Sequence, residues 1–253
     1  MCYDDNARPP IPNGANGKAH GEDLVLSAAD GNRFAAYFAR PEQASSAQVI
    51  IFPDVRGLHQ FYKELALRFA EMGVTALALD YFGRTAGLTA RDDSFEFMPH
   101  VQQMQLDSFA QDVQASLNYL RTHGGEHTAT FIVGFCMGGS MSLYTAMHKD
   151  LGLSGVIAFY AGLSRAFGGG DTVLQQANKV SYPVLGLFGG ADQGIPVDQV
   201  KELEQTLNQQ GVENTVVVYE GAPHSFFDRR QETYAEESAD AWQRIQGFIA
   251  AHK

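Results

Sequence analysis

The sequence predicts an α/β fold: a mostly parallel, doubly wound sheet with an N-terminal antiparallel hairpin and helices on both faces. Six continuous apolar runs suit strands buried on both faces. Segments with helical spacing alternate with these runs to the end of the chain. No internal repeat or linker divides the pattern, and 253 residues that are 45% hydrophobic can build one large core.

Residues 1–18 are rich in Pro, Asn, Gly and Asp without an apolar period, so they read as an arm laid over the surface or left mobile. Residues 19–253 form the single domain. Runs at 24–26 and 33–38 flank the turn-forming Asp30, Gly31 and Asn32, which predicts the hairpin. The parallel strands are expected at 48–52, 74–79, 130–133, 155–159, 184–188 and 215–219. The helices between and after them are expected at 62–72, 104–121, 140–148, 197–210 and 234–251. Two longer connections, 83–101 and 161–178, follow the carboxyl ends of parallel strands, where α/β sheets bind ligands; they either wall a pocket or serve as surface loops.

A formal charge of −11 repels phosphate backbones and anionic lipid, which argues against nucleic acid and membrane surfaces as partners. No run approaches the roughly 18 to 20 apolar residues of a membrane span, and the first residues lack the basic-then-apolar pattern of a signal peptide. Two cysteines, Cys2 and Cys136, cannot make a disulfide framework. A reducing, cytoplasmic location is expected.

The chemistry concentrates at residues 131–140. A buried strand runs into Gly134, Cys136 and Gly138 and then a helix start with small residues, the pattern of a nucleophile elbow with Cys in place of Ser. Such a turn strains the nucleophile's backbone, and the residues two before and two after must be tiny. The helix N-terminus favours a thiolate, and the Met137 N–H is placed to donate to an oxyanion. A buried structural cysteine is the plainer alternative.

Elbow nucleophiles of this kind are followed in sequence by an acid and then a His. Asp192 lies in the loop directly after the 184–188 strand, and His224 in the loop after the 215–219 strand. Neither of the two need be catalytic: Asp192 can form a turn beside Gly, and His224 can be an ordinary loop residue. The loop after the first parallel strand, 53–59, is expected to add a second oxyanion donor, the Val55 N–H. Asp54 then lies near the thiol, where it either opposes thiolate formation or exchanges a proton with it; capping the loop is the structural alternative. His123 and His127 flank Gly124, Gly125 and Glu126, but the Gly pair breaks the helix that would align two zinc ligands, so no metal is expected.

From about Gly21 onward the chain resembles the dienelactone hydrolase family of α/β-hydrolases. The resemblance rests on residues 134–139, on 189–192 with Pro196, on Pro223 to Phe226, and on 80–84. It implies an α/β-hydrolase fold and a Cys136, Asp192 and His224 triad with no cofactor. It also implies Arg84 as an anchor for a substrate carboxylate and Ser225 as a further residue of the site. Two departures stand out. The family usually has Glu where this chain has Asp54, and members that act on dienelactone carry Arg where this chain has Asp228, with Arg229 next to it. Either Arg229 or Arg56 is a candidate replacement.

The function expected from these residues is hydrolysis of a lactone or activated carboxylic ester of the carboxymethylenebutenolide type through a thioester acyl-enzyme. Alternatives are a broad carboxylesterase or thioesterase using the same triad, and a non-catalytic relative that binds a small ligand. In each case the partner is a small molecule.

Overall fold

The computed structural model describes residues 6–15, 17–43, 45–124 and 128–253. Eight strands form one sheet: β1 (Ala19–Ser27), β2 (Arg33–Pro41), β3 (Ala47–Phe52), β4 (Thr75–Leu79), β5 (Ala129–Phe135), β6 (Gly155–Phe159), β7 (Val184–Gly189) and β8 (Asn214–Tyr219). Their spatial order is β1-β2-β4-β3-β5-β6-β7-β8. β1 and β2 pair antiparallel, and β2 pairs antiparallel with β4, while every later pairing is parallel.

The helices are α1 (Gln60–Glu71), α2 (Gly83–Ala86), α3 (Met98–Val101), α4 (Leu106–His123), α5 (Met137–Thr145), α6 (Val173–Gln176), α7 (Val197–Gln209) and α8 (Ala235–Ala251). Three of these, α2, α3 and α6, are single turns inside the two long connections. Register and ring contacts show how the others sandwich the sheet. Val49 pairs with Phe131 and Phe52 with Gly134, so Phe131 and Phe52 point to opposite faces of a pleated sheet. Phe131 meets Phe248 of α8, and Phe52 meets Phe109 of α4 with ring centroids 5.1 Å apart. α1 lies on the α8 side, where Phe69 and Trp242 stack edge to face at 5.1 Å.

The inner strands β3, β4, β6 and β7 are buried along their whole length, and β5 in all but its first residue. β8 is different. Its apolar run 215–219 reads as a fully buried strand, yet Val216 and Val217 are half-buried and Val218 is 37% exposed. The reason is position: β8 is the last strand of the sheet, with a neighbour on one side only. Helix α5 also starts three residues earlier than its spacing predicts, because the elbow leads into the helix without a linker.

The arm is fastened along residues 6–15. Ala7, Pro9, Pro10 and Pro12 are buried. The Trp242 Nε1–H donates to the Pro10 carbonyl at 2.9 Å, and the Gln246 amide donates to the Asn13 carbonyl at 3.1 Å. Among the described residues no helix is long and apolar enough to cross a membrane. Residues 125–127 of the His123 to His127 motif lie outside the described residues.

Deleting residues 1–13 removes the acceptor of the Trp242 indole and uncovers its ring. We expect a loss of about 2 kcal/mol, or a fall of about 4 to 8 °C in Tm, measured by calorimetry.

Candidate active site

Cys136 sits between β5 and α5 with φ 56° and ψ −112°, a backbone region that side chains rarely enter. The surrounding packing forces it there. A Cβ on Gly134 would lie 2.0 Å from the Gly138 carbonyl oxygen, and one on Gly138 would lie 2.1 Å from the Phe52 carbonyl oxygen. The two glycines therefore let the end of β5, the head of α5 and the end of β3 touch through their backbones. The Cys136 N–H is bound to the Phe159 carbonyl of β6 at 3.1 Å, which pins the turn from the other side. Cys136 is half-buried, and all nine residues of α5 behind it are buried.

The first bond of α5 runs from the Ser140 N–H to the Cys136 carbonyl at 3.2 Å. The Met137 N–H lies ahead of that bond, at the positive end of the helix. The facing loop is built on Asp54. Its carbonyl accepts from the Gly57 N–H at 3.1 Å, and its Oδ1 accepts from the Arg56 N–H at 2.9 Å. Neither bond uses the Val55 N–H. Gly57 has φ 81°, and a Cβ there would meet Asp80 Oδ1 at 2.4 Å. The Tyr81 hydroxyl donates to the Pro53 carbonyl at 2.7 Å.

Asp80 organises this loop from below. It accepts from the Leu58 and Phe82 N–H groups and from Arg91, whose guanidinium reaches both carboxylate oxygens at 3.1 and 2.8 Å. Both side chains are almost fully buried, and Arg91 also lies over the Phe95 ring. The connection 83–101 is thereby locked onto the 54–59 loop. Arg56 adds a second tie, to Asp93 Oδ1 at 2.9 Å and to the Asp92 carbonyl at 2.6 Å.

His224 Nδ1 is 2.6 Å from Asp192 Oδ2. The Asp192 side chain is almost fully buried and the His224 side chain is 30% exposed. Bonding of Nδ1 to a carboxylate fixes that nitrogen as the protonated one, which leaves Nε2 as the basic nitrogen. The Tyr160 ring packs against the imidazole with centroids 4.9 Å apart. Tyr160 itself has φ 33° at the end of β6, and Ser225 has φ 61°. The three non-glycine residues with positive φ among the described residues, Cys136, Tyr160 and Ser225, all belong to this site.

Four buried groups complete the floor. Asp54 is fully buried, with Oδ1 3.6 Å from His59 Nε2 and Oδ2 without a hydrogen-bond partner. Asp228 is buried too, and its Oδ2 accepts from the Tyr160 hydroxyl at 3.0 Å. Burial first, and then the nearby Asp54, Asp228 and Cys136, push the Tyr62 and Tyr160 phenols well above their ordinary range, so both are neutral; Tyr160 donates to Asp228, while the Tyr62 hydroxyl has no hydrogen-bond partner. The sequence offered one signal for Tyr160, its place just after a parallel strand. It offered none for the burial of Tyr62 and Asp228.

Two expected site residues are placed otherwise. The Arg84 guanidinium is committed to structure. It bonds Asp112 through Nε at 3.3 Å and NH2 at 2.8 Å, Asp30 at 2.5 Å and the Ser108 carbonyl at 2.9 Å. Asp112 is buried in α4 and needs that cation, so Arg84 is not open to a substrate carboxylate in this structure. Ser225 has no exposed surface and its Oγ has no hydrogen-bond partner, which makes it the turn beside His224 and not a substrate contact. Arg229 is exposed, whereas Arg56 is buried in its own ties.

The model of the dienelactone hydrolase family matches residues 34–253. The chain belongs to the dienelactone hydrolase family. It is a hydrolase of that type, which sets aside the non-catalytic alternative. A "Putative carboxymethylenebutenolidase" of Methylorubrum extorquens is 30% identical over 96% of this chain and 84% of its own length. A "Carboxymethylenebutenolidase" of Rhodococcus opacus is 28% identical over 98% and 96%. The crystal structure of a "Putative Dienelactone Hydrolase" from Klebsiella pneumoniae superposes with a TM-score of 0.81 at 25% identity, covering 92% of this chain and 99% of that one. A puromycin-hydrolyzing peptidase of Mycobacterium tuberculosis, at 15% identity and TM-score 0.74, shares the α/β-hydrolase fold over 95% of this chain and 40% of its own.

Arg84→Ala should act on stability because it strands the buried Asp112 carboxylate. We expect a loss of about 2 to 4 kcal/mol in denaturant unfolding. Unchanged stability would release Arg84 from this structural role.

Proposed function

We propose that this dienelactone hydrolase family member cleaves lactones or activated carboxylic esters with Cys136 as nucleophile, His224 as proton carrier and Asp192 as its orienting acid. The observation that carries this reading is Cys136 held in a left-handed turn at the head of α5. The close packing at Gly134 and Gly138 holds that strain in place, and its effect is to present the thiol at a helix N-terminus.

His224 Nε2 takes the Cys136 proton as the sulfur attacks the acyl carbon, and the C–S bond forms as the carbonyl π electrons move onto oxygen. The Met137 and Val55 N–H groups are the donors we assign to that oxyanion. Collapse expels the alkoxide or enolate, which takes a proton from His224, and leaves a thioester on Cys136. Water then attacks the thioester while His224 Nε2 removes its proton; the C–S bond breaks, the carboxylic acid leaves, and His224 returns the proton to the Cys136 thiolate. Sulfur leaves readily, so the tetrahedral adduct goes forward only when the substrate's own leaving oxygen is also good. Enol lactones and activated esters meet this condition and amides do not.

Asp54 is assigned to the thiol and not to the substrate. It has no exposed surface, and its Oδ2 is a buried oxygen with no hydrogen-bond partner. A proton shared between this oxygen and the Cys136 sulfur would hold the nucleophile neutral until substrate arrives. A broad carboxylesterase or thioesterase is the second reading, favoured by the commitment of Arg84, the expected carboxylate anchor, to Asp30, Asp112 and the Ser108 carbonyl.

Cys136→Ala should cut hydrolysis of p-nitrophenyl acetate by several orders of magnitude with the fold intact by circular dichroism. Retention of more than about a tenth of the rate would remove Cys136 from this role. In His224→Ala, rapid-quench mass spectrometry should find one acyl group per chain, added to Cys136 and slow to leave, since deacylation needs the base. Full turnover in that variant would point to another base.

A further inference from the structure

Residues 80–82, which follow β4, grip the loop facing Cys136 at both of its ends. At the near end the Tyr81 hydroxyl donates to the Pro53 carbonyl at 2.7 Å, the same carbonyl that Gly138 abuts. At the far end Asp80 Oδ1 accepts from the Leu58 N–H at 3.1 Å, and the place a Gly57 Cβ would take is 2.4 Å from that oxygen and 3.1 Å from the Phe82 ring. The loop lies directly on the carboxylate. Between the two grips the Gly57 N–H and the Arg56 N–H both close back on Asp54, so Val55 sits inside the turn 54–57, and the next residue is the one Asp80 holds.

Asp80 is itself held still. Its Oδ2 accepts from the Phe82 N–H at 3.0 Å, and Arg91 reaches both oxygens, through Nε at 3.1 Å and NH2 at 2.8 Å. The other donors of that guanidinium go to the Thr89 carbonyl and hydroxyl and to the Gly87 carbonyl. A guanidinium has five N–H groups, and the chain takes all five. A buried ion pair of this kind adds little net stability over an apolar pair. What it supplies here is a fixed acceptor under Leu58.

Resting on the hydrolase reading above and its assignment of the Val55 N–H to the oxyanion, we propose that Asp80 is a positioning residue for acyl transfer, locked by Arg91, that holds the Val55 N–H where the oxyanion forms. Asp80 is fully buried and acts through Leu58 and Gly57. Asparagine is no substitute, because one of the two accepting oxygens becomes an NH2 group facing donors: the Leu58 N–H with Arg91 Nε, or the Phe82 N–H with Arg91 NH2. The loop shifts to relieve that clash, and a displacement of about 1 Å in an oxyanion donor costs about tenfold to a hundredfold in the acyl-transfer step.

Two reactions of Cys136 separate positioning from general damage. Acylation by p-nitrophenyl acetate builds an oxyanion, whereas alkylation by iodoacetamide displaces iodide at a tetrahedral carbon and builds none. In Asp80→Asn the acylation rate at saturating ester should fall about tenfold to a hundredfold, while half-saturation and the high-pH plateau of the alkylation rate each stay within about threefold of the wild type. Gly57→Ala pushes the loop off the same carboxylate from the other side and leaves the Asp80 and Arg91 pair made. It should show the same pattern, and it serves as the second variant should Asp80→Asn fail to fold. The inference is overturned if either folded variant is acylated within about threefold of the wild-type rate, or if alkylation falls as far as acylation. A wild type that neither turns over the ester nor becomes acylated on Cys136 would instead remove the hydrolase mechanism, and the inference with it.

Discussion

Everything in the site hangs on the backbone approach at Gly134 and Gly138. These positions let three chain segments meet at distances no side chain would allow, and the meeting forces Cys136 into the left-handed region. A strained residue of this kind costs on the order of 1 to 3 kcal/mol. The buried α5, bound to β5 and β6, offsets that cost, which is why the turn persists. Because Gly138 abuts the Phe52 and Pro53 carbonyls, the same contact fixes where the 54–59 loop begins. The position of Cys136 and the start of the facing loop are set by one packing event.

Around that point the structure treats its acids in two ways. Asp80 and Asp112 are each met by a guanidinium and work as scaffolding: Asp80 with Arg91 supports the 54–59 loop, and Asp112 with Arg84 ties α4 to the turn after β4. Asp228 instead accepts from the Tyr160 hydroxyl, and Asp54 from the Arg56 N–H. Scaffold acids with dedicated cations hold the loops still, so the acids of the floor keep fixed positions relative to the thiol.

What the sequence revealed and what it concealed follow from the distance between interacting residues. The parallel strands, the elbow and the loop positions of Asp192 and His224 each depend on a short stretch of chain, so periodicity and Gly spacing disclose them. Arg84 shows the opposite case. Its motif at 80–84 suggests a ligand anchor, but its partners Asp30 and Asp112 lie 54 and 28 residues away. No local pattern announces them. Ser225 and Asp228 look like polar loop residues and are buried, because the segment after β8 turns inward under Trp242, as the Phe227 ring against the indole shows. The same holds for β8, whose composition suits a central strand while topology leaves it at the rim.

The arm carries a consequence for the order of events during synthesis. The indole that binds the Pro10 carbonyl is 232 residues further along the chain and leaves the ribosome after it. At ordinary elongation rates of about 5 to 20 residues per second, the arm waits roughly ten to fifty seconds for its partner. It cannot take part in nucleating the sheet, whose first hairpin and parallel strands precede α8. Its docking through Pro10 and Asn13 waits for α8 to be made.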